Sequence, residues 1–158
     1  GKSIRFKESD VRSVGRTAIG VRGIRLADKD KVVSLIVAES DDPILTATEK
    51  GYGKRTQLDE YRAQARGGSG VISIKTSDRN GQVVGAIQVT DEDEMMLISD
   101  KGTLVRARAA DVSIIGRNTQ GVTLINIADD EALVSVAKIA ETDDDEESAE
   151  DVNETSEE

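Results

Sequence analysis

Short apolar stretches recur along the chain between clusters of turn-forming residues. Residues 31–38 are β-branched and apolar (Val32, Val33, Leu35, Ile36, Val37) and bounded by turns, which predicts a buried strand. Residues 20–26 alternate, with Arg22, Ile24 and Leu26 on one face and Val21, Gly23 and Arg25 on the other, the period of a strand. Strands over 44–48 and 52–56 complete that cycle of four, and a lone short strand over 1–7 precedes it. The next cycle predicts strands over 71–76, 82–89, 95–99 and 103–108, with Asn80-Gly81 as a hairpin turn, since both residues tolerate positive φ. The last supplies 122–127 and 133–139. No stretch carries a convincing helical period; residues 58–65 have room for a turn or two.

The cycles share a 24-residue frame that occurs three times without gaps. Its copies read Gly1, Arg5, Asp10, Val11, Arg16, Gly20, Val21, Ile24; then Gly51, Arg55, Glu60, Tyr61, Arg66, Gly70, Val71, Ile74; then Gly102, Arg106, Asp111, Val112, Arg117, Gly121, Val122, Ile125. The copies start 50 and 51 residues apart (1, 51, 102), and a fixed period of that size marks a propeller or array. Four short antiparallel strands per period make one blade, so the expected fold is all-β, with blades of four-stranded antiparallel sheets. The chain holds one strand of a first blade, two full sets and half of another. The ring is therefore expected to be incomplete, with open edges.

Composition narrows the chemistry. The 158 residues contain no His and no Cys, which removes the commonest general base, the thiolate nucleophile and the commonest metal ligands, and suits a reducing compartment. Carboxylates cluster at Asp41-Asp42, Asp91 to Glu94 and Asp129 to Glu131, each between strands where Asp favours turns. Gly67, Gly68 and Gly70 lack the Lys-Ser/Thr of a phosphate loop. The chain itself is expected to carry no catalytic residue and no metal. The net charge of −10 divides unevenly: 11 of the 31 acidic residues lie in 141–158, leaving 20 against 21 basic in the rest. The expectation is a near-neutral body, 1–140, followed by a disordered acidic tail, 141–158. No apolar run approaches the roughly 20 residues of a membrane helix, and Gly1 without a Met reads as a piece cut from a longer chain.

Each frame contains two arginines, and repetition carries equivalent residues to equivalent places on each blade. Arg5, Arg16, Arg55, Arg66, Arg106 and Arg117 would then form a basic track, reinforced by Lys7, Arg12, Lys54, Arg62 and Arg108. Such a track suits bent double-stranded DNA, read through its backbone and deformability. The second arginine of each frame (Arg16, Arg66, Arg117) sits in a Gly-rich loop and is the stronger candidate. The first (Arg5, Arg55, Arg106) has two readings, a phosphate contact or a blade-to-blade ion pair with the acid five residues on (Asp10, Glu60, Asp111). A protein-interaction scaffold is the rival from another class.

At these residues the chain resembles the C-terminal domain of the DNA gyrase A subunit. Gly-Tyr-Gly-Lys-Arg-Thr (51–56), Gly-Thr-Leu-Val-Arg (102–106) and Ile-Gly-Arg-Asn-Thr-Gln-Gly-Val (115–122) carry the resemblance. It implies a β-pinwheel, a six-bladed disc whose neighbouring blades exchange strands and whose basic rim wraps duplex DNA for negative supercoiling by a type II topoisomerase. The implied partners are the gyrase B subunit together with the rest of the gyrase A subunit, in the bacterial cytoplasm at the nucleoid. ATP and Mg²⁺ would belong to other parts of the enzyme, and no cofactor to these residues. The family's Gln-Arg-Arg-Gly-Gly-Lys-Gly box is not intact; Gln64 to Gly70 looks like a degenerate copy that keeps Arg66. The related domain of topoisomerase IV is the nearest rival within the family. A tethered acidic tail beside a basic rim competes with phosphates at high effective concentration, so 141–158 is expected to weaken DNA binding.

Overall fold

The computed structural model describes residues 1–140; the acidic tail, 141–158, lies outside the described residues. Nine strands form three antiparallel sheets among the described residues. They are β1 (Lys2–Ser3), β2 (Ile44–Thr48), β3 (Tyr52–Thr56), β4 (Val71–Ile72), β5 (Val83–Gln88), β6 (Glu94–Ser99), β7 (Leu104–Arg108), β8 (Val122–Thr123) and β9 (Leu133–Lys138). Short 3₁₀ turns at Glu8–Asp10, Leu58–Glu60 and Ala109–Asp111 fall at the same place in each copy of the frame.

The complete blade has the strand order β5-β2-β3-β8. Its hairpin, β2–β3, closes through Glu49-Lys50-Gly51, where Gly51 takes φ +79° and its N–H donates to Thr48 O at 3.0 Å. In the cycles read from the sequence, the hairpin belongs to the first, β5 comes from the next and β8 from the last. Sequence order predicts four consecutive strands per blade, and the structure departs from that order: β4 leaves its neighbours and pairs with β1, one copy back. The reason is register. Lys2 faces Ile72 and Ser3 faces Val71, just as Tyr52 faces Thr123 and Gly53 faces Val122. The opening residues of each frame therefore pair with the closing residues of the next.

Two expected strands do not form. Residues 20–26 and 31–38 have no strand assignment, and Val32, Val33, Leu35 and Val37 are exposed, Leu35 by 89%. Their counterparts are strands only because partners hold them. β5 lies on β2, β9 lies on β6, and β4 and β8 lie on the openings of the preceding copies. No hairpin among the described residues stands in that relation to 31–38, and an apolar pattern without a partner does not become a strand.

The main core lies between the two larger sheets. Leu45 and Ala47 of β2 meet Met95 and Leu97 of β6, Leu133 and Val136 of β9, and Val112 and Ile125 from the third copy. The burial of β6 alternates along the strand, placing Met95, Leu97 and Ser99 inward. A smaller cluster of Ile44, Leu58 and Tyr61 packs under the second frame, with the Tyr61 hydroxyl 3.0 Å from Ser73 Oγ.

Close approach between copies fixes the later glycine of the frame. Gly121 takes φ +83°, and a Cβ there would stand 2.6 Å from Gly53 O. Gly70 meets Ser3 O in the same way. Gly102 has a similar φ, +86°, but open space around it. Gly121→Ala is expected to cost about 3 kcal/mol and Gly102→Ala about 1 kcal/mol, because only the first adds a backbone clash to the left-handed strain. Urea unfolding of the two variants checks this; equal costs would remove the close-approach argument.

Candidate nucleic-acid interface

The first arginines do not form one set. Arg5 reaches forward and donates from Nη1 to Leu58 O at 3.0 Å and Tyr61 O at 3.3 Å. Arg55 does the same one copy later: Nε donates to Val112 O at 2.8 Å and Nη2 to Ala110 O at 3.5 Å, while Nη1 pairs with the Asp91 carboxylate. A 3₁₀ turn leaves carbonyls unpaired at its end. The guanidinium satisfies Tyr61 O in one copy and Val112 O and Ala110 O in the next, while Leu58 O also accepts the Tyr61 N–H at 3.1 Å. Arg55 is 5% exposed. The backbone follows the same path, with Gln64 N–H donating to Arg5 O at 2.9 Å and Ile115 N–H to Arg55 O at 2.9 Å. Arg5 and Arg55 are thus bolts between copies, and neither pairs with the acid five residues on, Asp10 or Glu60. Arg106 differs: it is exposed and pairs with Glu94, with Nε 2.6 Å from Oε2.

The acids of the frame are used elsewhere. Glu60 accepts the backbone N–H of Arg117 at 3.0 Å, and Asp111 pairs with Arg108 at 2.9 Å. Asp91, expected only as a turn former, clamps the buried Arg55. Asp93 likewise pairs with Lys138 at 2.8 Å.

The second arginines reach backward. Arg66 donates from Nη1 to Arg22 O and from Nε to Asp10 O at 3.2 Å; Arg117 donates from Nη1 to Ile72 O at 2.7 Å. Arg22 and Ile72 are the same position in successive copies. Both arginines are half-buried, and among the described residues the Nη2 group of each has no protein acceptor. Arg16 is exposed, as are Arg12, Arg62 and Lys7. Arg108 and Arg106 lie in exposed ion pairs, which are weak and open to replacement by a phosphate.

Lys54 is not a surface cation. It is fully buried, and its ammonium donates to Gly116 O at 2.6 Å, Arg117 O at 2.5 Å and Thr119 Oγ1 at 3.1 Å. Burial pulls its pKa down to about 8, with Glu60 acting against the shift and Arg117 adding to it.

Two cations outside the frame join the loops. Arg25 N–H donates to Gly68 O at 2.8 Å and Lys75 N–H to Thr119 O at 2.9 Å. Each is exposed and lies one residue beyond the frame's final isoleucine, the signal that could have revealed them. The outcome is a repeated arrangement. The loop carrying Arg66 stands against Arg22 and Arg25, and the loop carrying Arg117 stands against Lys75. A further exposed cation, Arg79, lies over the Tyr52 ring with its guanidinium carbon 4.7 Å from the centroid.

Cations recur here at the exchange points between blades, in step with the frame, and the family follows from a match of the same period. Three stretches, residues 1–39, 42–90 and 93–140, each fit the model described as "DNA gyrase C-terminal domain, beta-propeller". The chain belongs to this DNA gyrase C-terminal domain family. Each matched stretch contains one copy of the frame.

Among its relatives, the DNA gyrase A protein of Klebsiella oxytoca is 61% identical over 147 residues, covering 93% of this chain and 17% of the relative. A solved DNA gyrase A C-terminal domain superposes with a TM-score of 0.82 at 33% identity, over 89% of this chain and 48% of that one. The C-terminal domain of a DNA topoisomerase IV gives 0.80 at 27% identity, over 88% and 44%. The chain thus spans a small part of the curated relatives it matches.

Because Arg55 is buried against carbonyls while Arg106 is exposed, the same substitution separates their roles. Arg55→Met is expected to destabilise the fold by about 3 kcal/mol, since it strands buried acceptors. Arg106→Met should change stability by less than about 0.5 kcal/mol. Urea midpoints read the difference, and similar losses would contradict the bolt.

Proposed function

We propose that this chain binds and bends duplex DNA along the loops where its blades exchange strands, as the wrapping portion of a gyrase that introduces negative supercoils. The observation that carries this reading is the recurrence of cations from successive copies at one kind of place: Arg22, Arg25 and Arg66 at one exchange point, Lys75 and Arg117 at the next. A polyanion laid across consecutive blades meets a cation cluster at each. Contacts of that kind fix the path of the backbone without reading base edges, so sequence enters only through the ease of bending. The aromatic platforms of single-strand binders are scarce, with only Phe6, Tyr52 and Tyr61 in the chain, and Tyr61 is buried. The partners proposed are the gyrase B subunit together with the remainder of the gyrase A subunit, in a bacterial cytoplasm. Among the described residues, no helix is long and apolar enough to cross a membrane.

Charge reversal at exposed cations tests the reading without cutting a bolt. Arg16, Arg25 and Lys75, changed together to Glu, should weaken binding to a duplex of about 100 base pairs by more than about 100-fold at low salt. The slope of log affinity against log salt should fall by about three. Circular dichroism and melting confirm that the variant is folded. Unchanged affinity in a folded variant would end the DNA reading and favour a protein scaffold. The same titration on residues 1–140 alone is expected to show tighter binding at low salt, the tail's competition removed.

A further inference from the structure

Lys54 breaks the pattern of its own repeat. The matching position is Ile4 in the first copy and Val105 in the third. In the first copy the apolar side chain suffices: Ile4 Cδ1 lies 3.8 Å from where a Cβ on Gly68 would stand, covering the loop that carries Arg66. In the second copy an ammonium fills that place beneath the loop that carries Arg117. A buried ammonium is costly unless each of its three donors finds an acceptor. Here Gly116 O, Arg117 O and Thr119 Oγ1 supply three.

The two loops explain why one needs such an anchor. In the second copy Gly67 takes φ +83°, and its N–H donates to Gly23 O at 2.7 Å, tying the loop down beside Arg66. The third copy has Asn118 at that position, exposed, and no counterpart bond joins it to Ser73. In place of that bond the third loop has Lys54 from below and Glu60, whose carboxylate accepts the Arg117 N–H, beside the Lys75–Thr119 backbone bond that matches Arg25–Gly68 in the second loop. The charged groups facing Lys54 are Glu60 and Arg117, together with the amino group of Gly1.

We propose that Lys54 is a positioning residue for DNA contact: from the interior of one blade it holds the 116–119 loop of the next, so that Arg117 and Asn118 face the phosphate backbone. This rests on the DNA reading above. It assigns Lys54 no contact with DNA and makes its effect pass entirely through the loop.

A double-mutant cycle on the whole chain tests this, using a duplex of about 100 base pairs and the variants Lys54→Met, Arg117→Gln and both together. Each single change is expected to weaken binding about tenfold and lower the salt slope by about one. The double variant should bind no more weakly than Arg117→Gln alone, because the contact Lys54 serves is already gone. Losses that add, or unchanged affinity in folded Lys54→Met, would overturn the proposal. If Lys54→Met does not fold, Thr119→Val removes one acceptor instead. It should then weaken binding about threefold in the same non-additive way, and additive loss would again overturn the idea. Amide exchange across 116–119 provides a DNA-free reading. Faster exchange in the variant supports the anchor, and unchanged exchange refutes it. A wild-type chain that does not bind duplex would sink the DNA reading alone, leaving amide exchange to judge the loop anchor.

Discussion

The structure depends on one pairing: the opening residues of each frame against the closing residues of the next. A two-residue strand such as β4 or β8 cannot persist alone. It persists here because both partners bring further bonds in the same register. Leu124 N–H donates to Gly51 O at 2.8 Å as Ser73 N–H donates to Gly1 O at 2.9 Å, and the glycines at 70 and 121 let the chains approach. The arginines extend this exchange on both sides. Arg5 and Arg55 reach forward to carbonyls of the next copy, while Arg66 and Arg117 reach back to the previous one. Each copy is therefore stapled to its neighbours by backbone and guanidinium together, and the loops at the staples are where the exposed cations gather.

This coupling bears on the proposed binding of a polyanion. Arginine suits both structural donation to carbonyls and phosphate contact, and the proposed reading puts both uses within one frame. Which use prevails follows from the next copy. Where a following turn offers carbonyls, the first arginine is drawn inside; Arg106, which meets no such turn among the described residues, lies on the surface against Glu94. Half-buried arginines such as Arg66 and Arg117 have one end fixed in the fold and one end free. A contact held that way loses little conformational entropy when phosphate binds.

Much of the fold was legible in the repeat. The repeat placed its glycines and the strands near 44–48, 52–56, 95–99 and 103–108, because those features depend on residues close in sequence. Asn80-Gly81, expected as a hairpin turn, instead links β4 and β5, which pair with β1 and β2 rather than with each other. What failed was whatever depends on a neighbour far along the chain. Residues 31–38 have the apolar content of a strand, yet pattern alone does not supply the edge that a strand needs. Lys54 and Arg55 looked like surface cations because charge usually marks the surface. Only the three-dimensional exchange shows that carbonyls of the next copy wait for them. A hint was present at Lys54, whose counterparts Ile4 and Val105 are apolar. The candidate site divided likewise: the loops of Arg66 and Arg117 could be read from the repeat, but Arg25 and Lys75 join them only through bonds between copies.

Native-state hydrogen exchange tests the central claim most directly, by comparing amides that bridge copies with amides inside hairpins. The bridging amides are Gln64, Lys75, Ile115 and Leu124, donating to Arg5, Thr119, Arg55 and Gly51 respectively. If the exchange of strands holds the blades together, these four should open with free energies within about 1 kcal/mol of those in the β2–β3 and β6–β7 hairpins, as one cooperative unit. Bridging amides that exchange at the rate of open loops, beside fully protected hairpins, would show independent blades and contradict the account.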